Sequence, residues 1–134
     1  MTPRITKERP KDLHVDIMGM PWIITWRTQE EDEKLLDYTG YCDESARLIV
    51  IEWYADDYRN RSSVAAHTAS IVRHEMIHAM LFECGLDSST HKNWAKNEEM
   101  VDWIALLLPR LANTIIPVSD EVCRNIQKDL TSEK

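Results

Sequence analysis

The sequence predicts an α+β fold, in which a small antiparallel sheet formed by N-terminal hairpins packs beside helices from the C-terminal half. Two observations predict it. Short β-branched and aromatic runs separated by turn residues fill the first part of the chain, and long stretches with helical periodicity fill the remainder. With 134 residues, of which 43% are hydrophobic, the chain has the size and apolar content of one domain, which we place at 1–134.

The strands are expected in two hairpins. Residues 13–18 and 22–26 form the first predicted pair, split by Gly19, Met20 and Pro21. Residues 38–42 and 47–53 form the second pair, and residues 43–46 form its turn. Residues 1–11 are charged and lack a period, so we expect a loose arm there.

Three helices are expected after the strands. Neither Pro nor Gly interrupts residues 64–84, Ser62 or Ser63 can cap that helix, and Gly85 suits its C-terminal end. A second helix starts near residue 98, and Pro109 should kink or end it. A third, amphipathic helix is expected from Ser119 and should pack on the core.

The most informative motif is His74-Glu75-Met-Ile-His78, an H-E-x-x-H pattern inside the first predicted helix. Residues four apart lie on one helix face, so both imidazoles can reach one zinc ion at about 2.0–2.1 Å. Glu75 follows about 100° round the helix, where its carboxylate can take a proton from water held at the metal. The motif predicts metal-assisted hydrolysis with Glu75 as general base.

A third protein ligand is expected at Glu98, twenty residues after His78. Glu98 falls on the apolar stripe that continues through Val101 and Ala105, and an unpaired carboxylate on a core face is costly. A zinc ion would remove that cost. Asp102, one turn later, can accept the free ring N–H of a ligating histidine and so orient the ring.

Other candidates for the third ligand are weaker. Glu98 and its neighbour Glu99 could simply be acids that favour the start of a helix. His91 lies in a polar loop, where a histidine is usually only exposed, and Cys84 points to a different face from His78. The metzincin class is excluded, because it requires a glycine where the chain has Leu81 and a histidine at position 84.

The stretches HEMIH and NEEMVDWIALLL together resemble the ImmA/IrrE-type metallopeptidases, in the short form common among bacteriophage and mobile-element proteins. The resemblance spans roughly residues 38–111. It implies a minimal zincin-like fold with zinc ligands at His74, His78 and Glu98. It also implies Glu75 as general base and Asp102 as the acceptor for the ring N–H of a ligating histidine. By the same resemblance, Leu48–Glu52 is the predicted edge strand along which a peptide substrate would lie.

Composition narrows the partners and the compartment. A net charge of −7 argues against nucleic acid and against an anionic membrane surface. We expect no segment that spans a membrane and no signal peptide. Three widely spaced cysteines suggest free thiols in a reducing compartment, so we expect a cytoplasmic protein.

The leading hypothesis is therefore a zinc metallopeptidase that acts on a protein or peptide, with a regulatory protein as the substrate that the resemblance suggests. The rival is a non-catalytic zinc-binding adaptor or interaction protein, whose metal site would be closed rather than open. The sequence does not rank the groups that could stabilise an oxyanion. Those candidates are Tyr41, Tyr54, Tyr58, Arg47 and His91. His67, two turns before His74, is too far to share the ion; it is on the face that could line the cleft, but a structural or surface histidine is the favoured interpretation.

Overall fold

The computed structural model describes residues 9–53, 61–86 and 96–132. Four strands come first, and two long helices follow them. The strands are β1 (Leu13–Ile17), β2 (Met20–Arg27), β3 (Gly40–Asp43) and β4 (Leu48–Glu52). A short 3-10 helix (Glu33–Leu36) lies between β2 and β3, and the α-helices are α1 (Arg61–Glu83) and α2 (Glu98–Ser132). The α+β class is thus confirmed.

Both predicted hairpins are present. β1 and β2 join through Met18 and Gly19, which both have positive φ, and the Gly19 N–H donates to Asp16 Oδ1 at 2.8 Å. Positive φ at both central residues is the geometry of a type I′ turn, which matches the twist of a two-stranded hairpin. β3 and β4 pair antiparallel, with Gly40 opposite Ile51.

The expectation of a purely antiparallel sheet is wrong. The strand order is β1-β2-β4-β3, and β2 pairs parallel to β4. After β2 the chain passes over the position of β4 and forms β3, the outer strand, which runs antiparallel to β2. β4 then enters between β2 and β3. Leu48–Glu52 is consequently an inner strand, so the prediction that it forms the sheet edge beside the cleft is also wrong.

The helix boundaries differ from the expectation at both ends of the helical region. α1 begins at Arg61, so Ser62 and Ser63 lie inside its first turn instead of capping it. Gly85 has φ +83° just after the helix, as its predicted role requires. α2 runs without interruption through Pro109 and Pro117, so the separate third helix predicted from Ser119 is part of α2.

α1 is the centre of the structure because it is apolar on two sides. One side, including Ile71 and Ala79, packs on a sheet face that contributes Trp22, Ile24 and Ile51. A second side, formed by Ile77 and Leu81, packs against Val101 and Ala105 of α2. The strip of α1 between those two contacts carries His74 and His78, so the packing holds the two histidines between the sheet and α2.

The close approach of β3 to α1 depends on Gly40. A Cβ atom at this position would lie 2.8 Å from Ile71 Cγ2 and 3.1 Å from the carbonyl oxygen of Val50. Only glycine fits without displacement, because atoms at such distances are well inside van der Waals contact. Ile71 precedes His74 by one helical turn, so this contact sets the distance between β3 and the histidines.

Candidate metal centre

Two histidines and one carboxylate meet where α1 crosses the start of α2. The Nε2 atoms of His74 and His78 are 3.2 Å apart, and Glu98 places its carboxylate 2.8 Å from His74 Nε2 and 3.2 Å from His78 Nε2. The three side chains offer ligand atoms that all lie within 4.8 Å of one another and could hold a metal ion. The structure therefore brings together the three residues predicted as ligands.

The distances fit a tetrahedral ion. Two ligand atoms at about 2.0–2.1 Å from a zinc ion, separated by a tetrahedral angle, are about 3.3–3.4 Å apart. The observed separations of 2.8 to 3.4 Å need only small side-chain adjustments to reach that value.

Asp102 fixes the tautomer of His74. Its carboxylate can only accept, so the Nδ1–H of His74 donates to Asp102 Oδ1 at 2.6 Å. In the neutral ring, Nε2 then carries a lone pair that faces the Glu98 carboxylate at 2.8 Å. Such a contact between two acceptors is unfavourable unless a cation or a further proton lies between them. The donor chemistry of the site therefore fits a metal ion.

The start of α2 positions both carboxylates. Asn97 caps this helix, because its side-chain oxygen accepts from the Met100 N–H at 2.9 Å. Glu98 is therefore the first helical residue, and Asp102 follows one turn later on the same side. Glu98 and Glu99 are both exposed, so the expectation that Glu98 lies on a core face is wrong. Only Glu98 lines the pocket beside the histidines, and the alternative ligand Glu99 does not.

Glu75 is buried although it is an acid. It is 6% exposed and lies on the α1 side that faces the sheet, at the wall of the pocket. Burial is the main reason that the pKa of Glu75 rises to about 7, while His74 opposes the rise and the charge of Glu98 adds to it. A carboxyl with a pKa near neutrality suits general base work at physiological pH.

The pocket in front of these residues has a volume of about 1080 Å³. Its wall opposite α2 is β3 with the residues that lead into it, including Tyr38, Gly40 and Tyr41. His67 also lines it, although a structural or surface histidine was the favoured interpretation of the sequence. Arg73, which the sequence analysis did not consider, lies on the pocket wall beside His74, where its position one residue before the motif could have indicated it.

The candidates for oxyanion stabilisation separate in the structure. Tyr41 lines the pocket, but its hydroxyl donates to Asp32 and accepts from Arg27 at 3.3 Å. Burial, followed by the Asp32 carboxylate, raises the pKa of Tyr41 to about 12. Arg47 pairs instead with Glu83 at 2.6 Å and does not line the pocket. The remaining candidates, Tyr54, Tyr58 and His91, lie outside the described residues.

Cys84 is exposed and its thiol donates to the Leu81 carbonyl, so it does not join the ligand group.

The expectation that the chain has no segment long and apolar enough to span a membrane is wrong, because one helix meets both the length and the composition that a span requires. Residues 98–127 of α2 pass that test, and little of this stretch is buried.

No model of a protein family, no curated protein and no solved structure matches the chain.

Proposed function

We propose that this protein is a zinc-dependent metallopeptidase. The observation that carries the proposal is the convergence of His74, His78 and Glu98 in front of an open pocket, with a buried glutamate one residue from the first ligand. Two histidines and one carboxylate with room left for water are typical of catalytic zinc sites, whereas structural sites use four protein ligands. The likeness of the two motif stretches to ImmA/IrrE-type metallopeptidases agrees with this proposal.

When bound, a zinc ion supplies Lewis acidity that makes water a nucleophile near neutral pH and polarises a carbonyl. Glu75 takes a proton from the attacking water as the water oxygen adds to the scissile carbonyl carbon. As the C–N bond breaks, Glu75 passes the proton to the leaving amine. Asp102 keeps the His74 ring in the tautomer whose Nε2 is free to bind the metal.

A protein or peptide is the substrate class that the pocket suits best. The pocket is lined by β3, the outer strand of the described sheet on the side of the histidines. An extended peptide beside β3, and not beside β4 as the sequence suggested, would pass in front of Glu75. That the substrate is a regulatory protein, and that the enzyme works in the cytoplasm, are further parts of the proposal that rest on sequence alone.

The first experiment tests the ligand set. Zinc affinity is measured by competition with a chromophoric chelator for the wild type, Glu98→Ala and Glu99→Ala. We expect Glu98→Ala to weaken binding by at least about 100-fold and Glu99→Ala to leave it within about 3-fold. Equal effects of the two matched substitutions would show that Glu98 is not a ligand.

The second experiment tests turnover. The zinc-loaded protein is incubated with a proteome-derived peptide library, and new termini are identified by mass spectrometry. Wild type should create termini that Glu75→Gln does not, although this variant retains zinc. Tight zinc binding with no new termini from wild type would favour the non-catalytic adaptor. Capture of partners with Glu75→Gln then identifies the natural substrate.

A further inference from the structure

α2 carries an exposed apolar face beyond the metal centre. After Ala105, apolar side chains continue at intervals of three and four residues, and each is between 42% and 56% exposed. At about 100° per residue, they all lie within roughly 60° of the direction of Ile115. They are Leu108, Leu111, Ile115, Val118, Val122 and Ile126. A solvated face of this size on one helix indicates an interaction surface.

We propose that this face binds the same face of a second copy of the chain, as an antiparallel pair of α2 helices. The pattern of residues is self-complementary about Ile115 at all but one position. A two-fold axis there sets Leu108 opposite Val122 of the second copy, Ala112 opposite Val118, Ile104 opposite Ile126, and Ile115 opposite itself, and leaves only Leu111 opposite a polar residue, Ser119. Five of the six apolar side chains of the face thus meet an apolar one, as an isologous interface favours.

The size of the face is sufficient for a dimer. From Leu108 to Ile126 the helix is about 27 Å long. Packing two such faces would bury on the order of 600 Å² per chain, or about 1,200 Å² in total, at the lower edge of stable specific interfaces. The face also continues the stripe by which Val101 and Ala105 already pack on α1, so this type of helix contact occurs within the chain.

The charges around the face favour a second copy over a membrane. The opposite side of the helix carries two bases and two acids, all exposed, namely Arg110, Asp120, Glu121 and Arg124. A spanning segment of about 20 residues would bring Arg110, together with Asp102 or Asp120, into the membrane, which is costly. A helix lying on a lipid surface usually carries an excess of Lys and Arg on its polar face, and this protein has a net charge of −7.

The test is the mass in solution as a function of concentration, measured by sedimentation velocity from about 1 to 200 µM. The 15.7 kDa chain should sediment as a dimer at the upper end of this range. Ile115→Glu puts an unpaired charge in the centre of the face and should raise the dimer Kd by at least about 100-fold. The matched control is Asn113→Glu, an exposed site about 160° away, which should leave the dimer intact.

A second measurement tests the register. In a background that carries both Cys84→Ser and Cys123→Ser, which removes the two exposed thiols, Ile115→Cys should form a covalent dimer on mild oxidation, and Asn113→Cys should not. Circular dichroism and zinc content check that each variant is folded. A wild type that stays monomeric at 200 µM, an Ile115→Glu variant as dimeric as wild type, or equal cross-linking at the two positions would each overturn the proposal. So would a monomer that co-sediments with phosphatidylcholine and phosphatidylglycerol vesicles, which would assign the face to lipid.

Discussion

The two parts of α2 share one apolar period but differ in what covers it. In the first two turns, Val101 and Ala105 are buried against α1, and Glu98 and Asp102 meet the histidines. From Leu108 onward the same stripe continues, yet its side chains stay about half exposed. Periodicity therefore predicts which side of a helix is apolar, whereas the partner that covers it depends on tertiary structure.

The largest expected difference between the two parts is the cost of a charge. Val101→Asp buries a carboxylate at a fully buried position and should lower the free energy of unfolding by about 3–5 kcal/mol. Val122→Asp makes the same change at an exposed position, so its cost should stay below about 1 kcal/mol. Urea unfolding at low protein concentration, where a dimer would be dissociated, measures both. Similar losses of unfolding free energy would show that the two parts of α2 do not differ in how far their apolar side chains are buried.

A smaller effect is expected on metal binding. Asp102→Ala removes the acceptor that orients His74, and should weaken zinc affinity by about 10–100-fold. Asp120→Ala, the control in the exposed part of α2, should leave the affinity unchanged. Titration calorimetry with a competing chelator gives both values. If the two substitutions weaken binding equally, the Asp102 contact does not orient the ligand.

The close packing of β3 against α1 can be tested by a substitution in β3. Gly40→Ala adds a methyl group against Ile71 and should cost about 1–3 kcal/mol of unfolding free energy. Ile71→Ala should relieve this overlap, so the double variant should be more stable than the sum of the single effects predicts, by at least about 0.5 kcal/mol. Strict additivity, measured by urea unfolding, would contradict the close approach of β3 to α1.

The smallest effect concerns the far end of α1. The Glu83 carboxylate accepts from Arg47 at 2.6 Å and from the Trp22 ring N–H at 2.9 Å. The hydrogen bond from Arg47 is the main reason that the pKa of Glu83 lies below its ordinary value of 4.5. The ionised form thus contributes stability above pH 4.5, which is lost as pH falls through the lowered pKa.

Glu83→Gln should therefore be less stable than wild type at pH 7, and the difference should shrink as the pH falls below 4.5. Thermal unfolding of both proteins across this range measures it. A difference that is constant with pH would mean that the charge of Glu83 is not involved.

The parts of the molecule that follow from local patterns were predictable. The β1-β2 hairpin depends on its own turn, and the spacing of His74, Glu75 and His78 depends only on helix geometry. Glu98 and Asp102 could be proposed because carboxylates stood on an apolar stripe. The hairpin and the histidine spacing involve residues within one or two turns of each other, where the chain itself fixes the geometry. The contact of Glu98 with His74 and His78 joins two helices across separations of 24 and 20 residues, and its prediction depended on the chemistry of a metal site.

The errors concerned long-range pairing. The parallel contact of β2 with β4 joins residues far apart in the chain, and no turn sequence encodes it. A local signal for the inner position of β4 was nevertheless present. Leu48-Ile-Val-Ile51 has no polar alternation, which is typical of a strand buried on both faces.

The two prolines of α2 led to a third error. Proline removes one backbone donor and crowds the preceding turn, so a helix end was expected at Pro109. Both Pro109 and Pro117 are exposed, and there water can bind the carbonyl that each leaves without a helical partner. The strong helix formers on both sides of Pro109 then continue the helix.

The insertion of β4 between β2 and β3 also has a kinetic consequence. Until β4 arrives, the β1-β2 hairpin presents one unpaired edge next to the apolar side chains of Trp22 and Trp26. Closing the sheet requires a contact across the whole segment between Arg27 and Leu48, so loop-closure entropy opposes this step. A nascent chain that ends before Leu48 would expose that edge, and aggregation through it is the hazard that this topology carries.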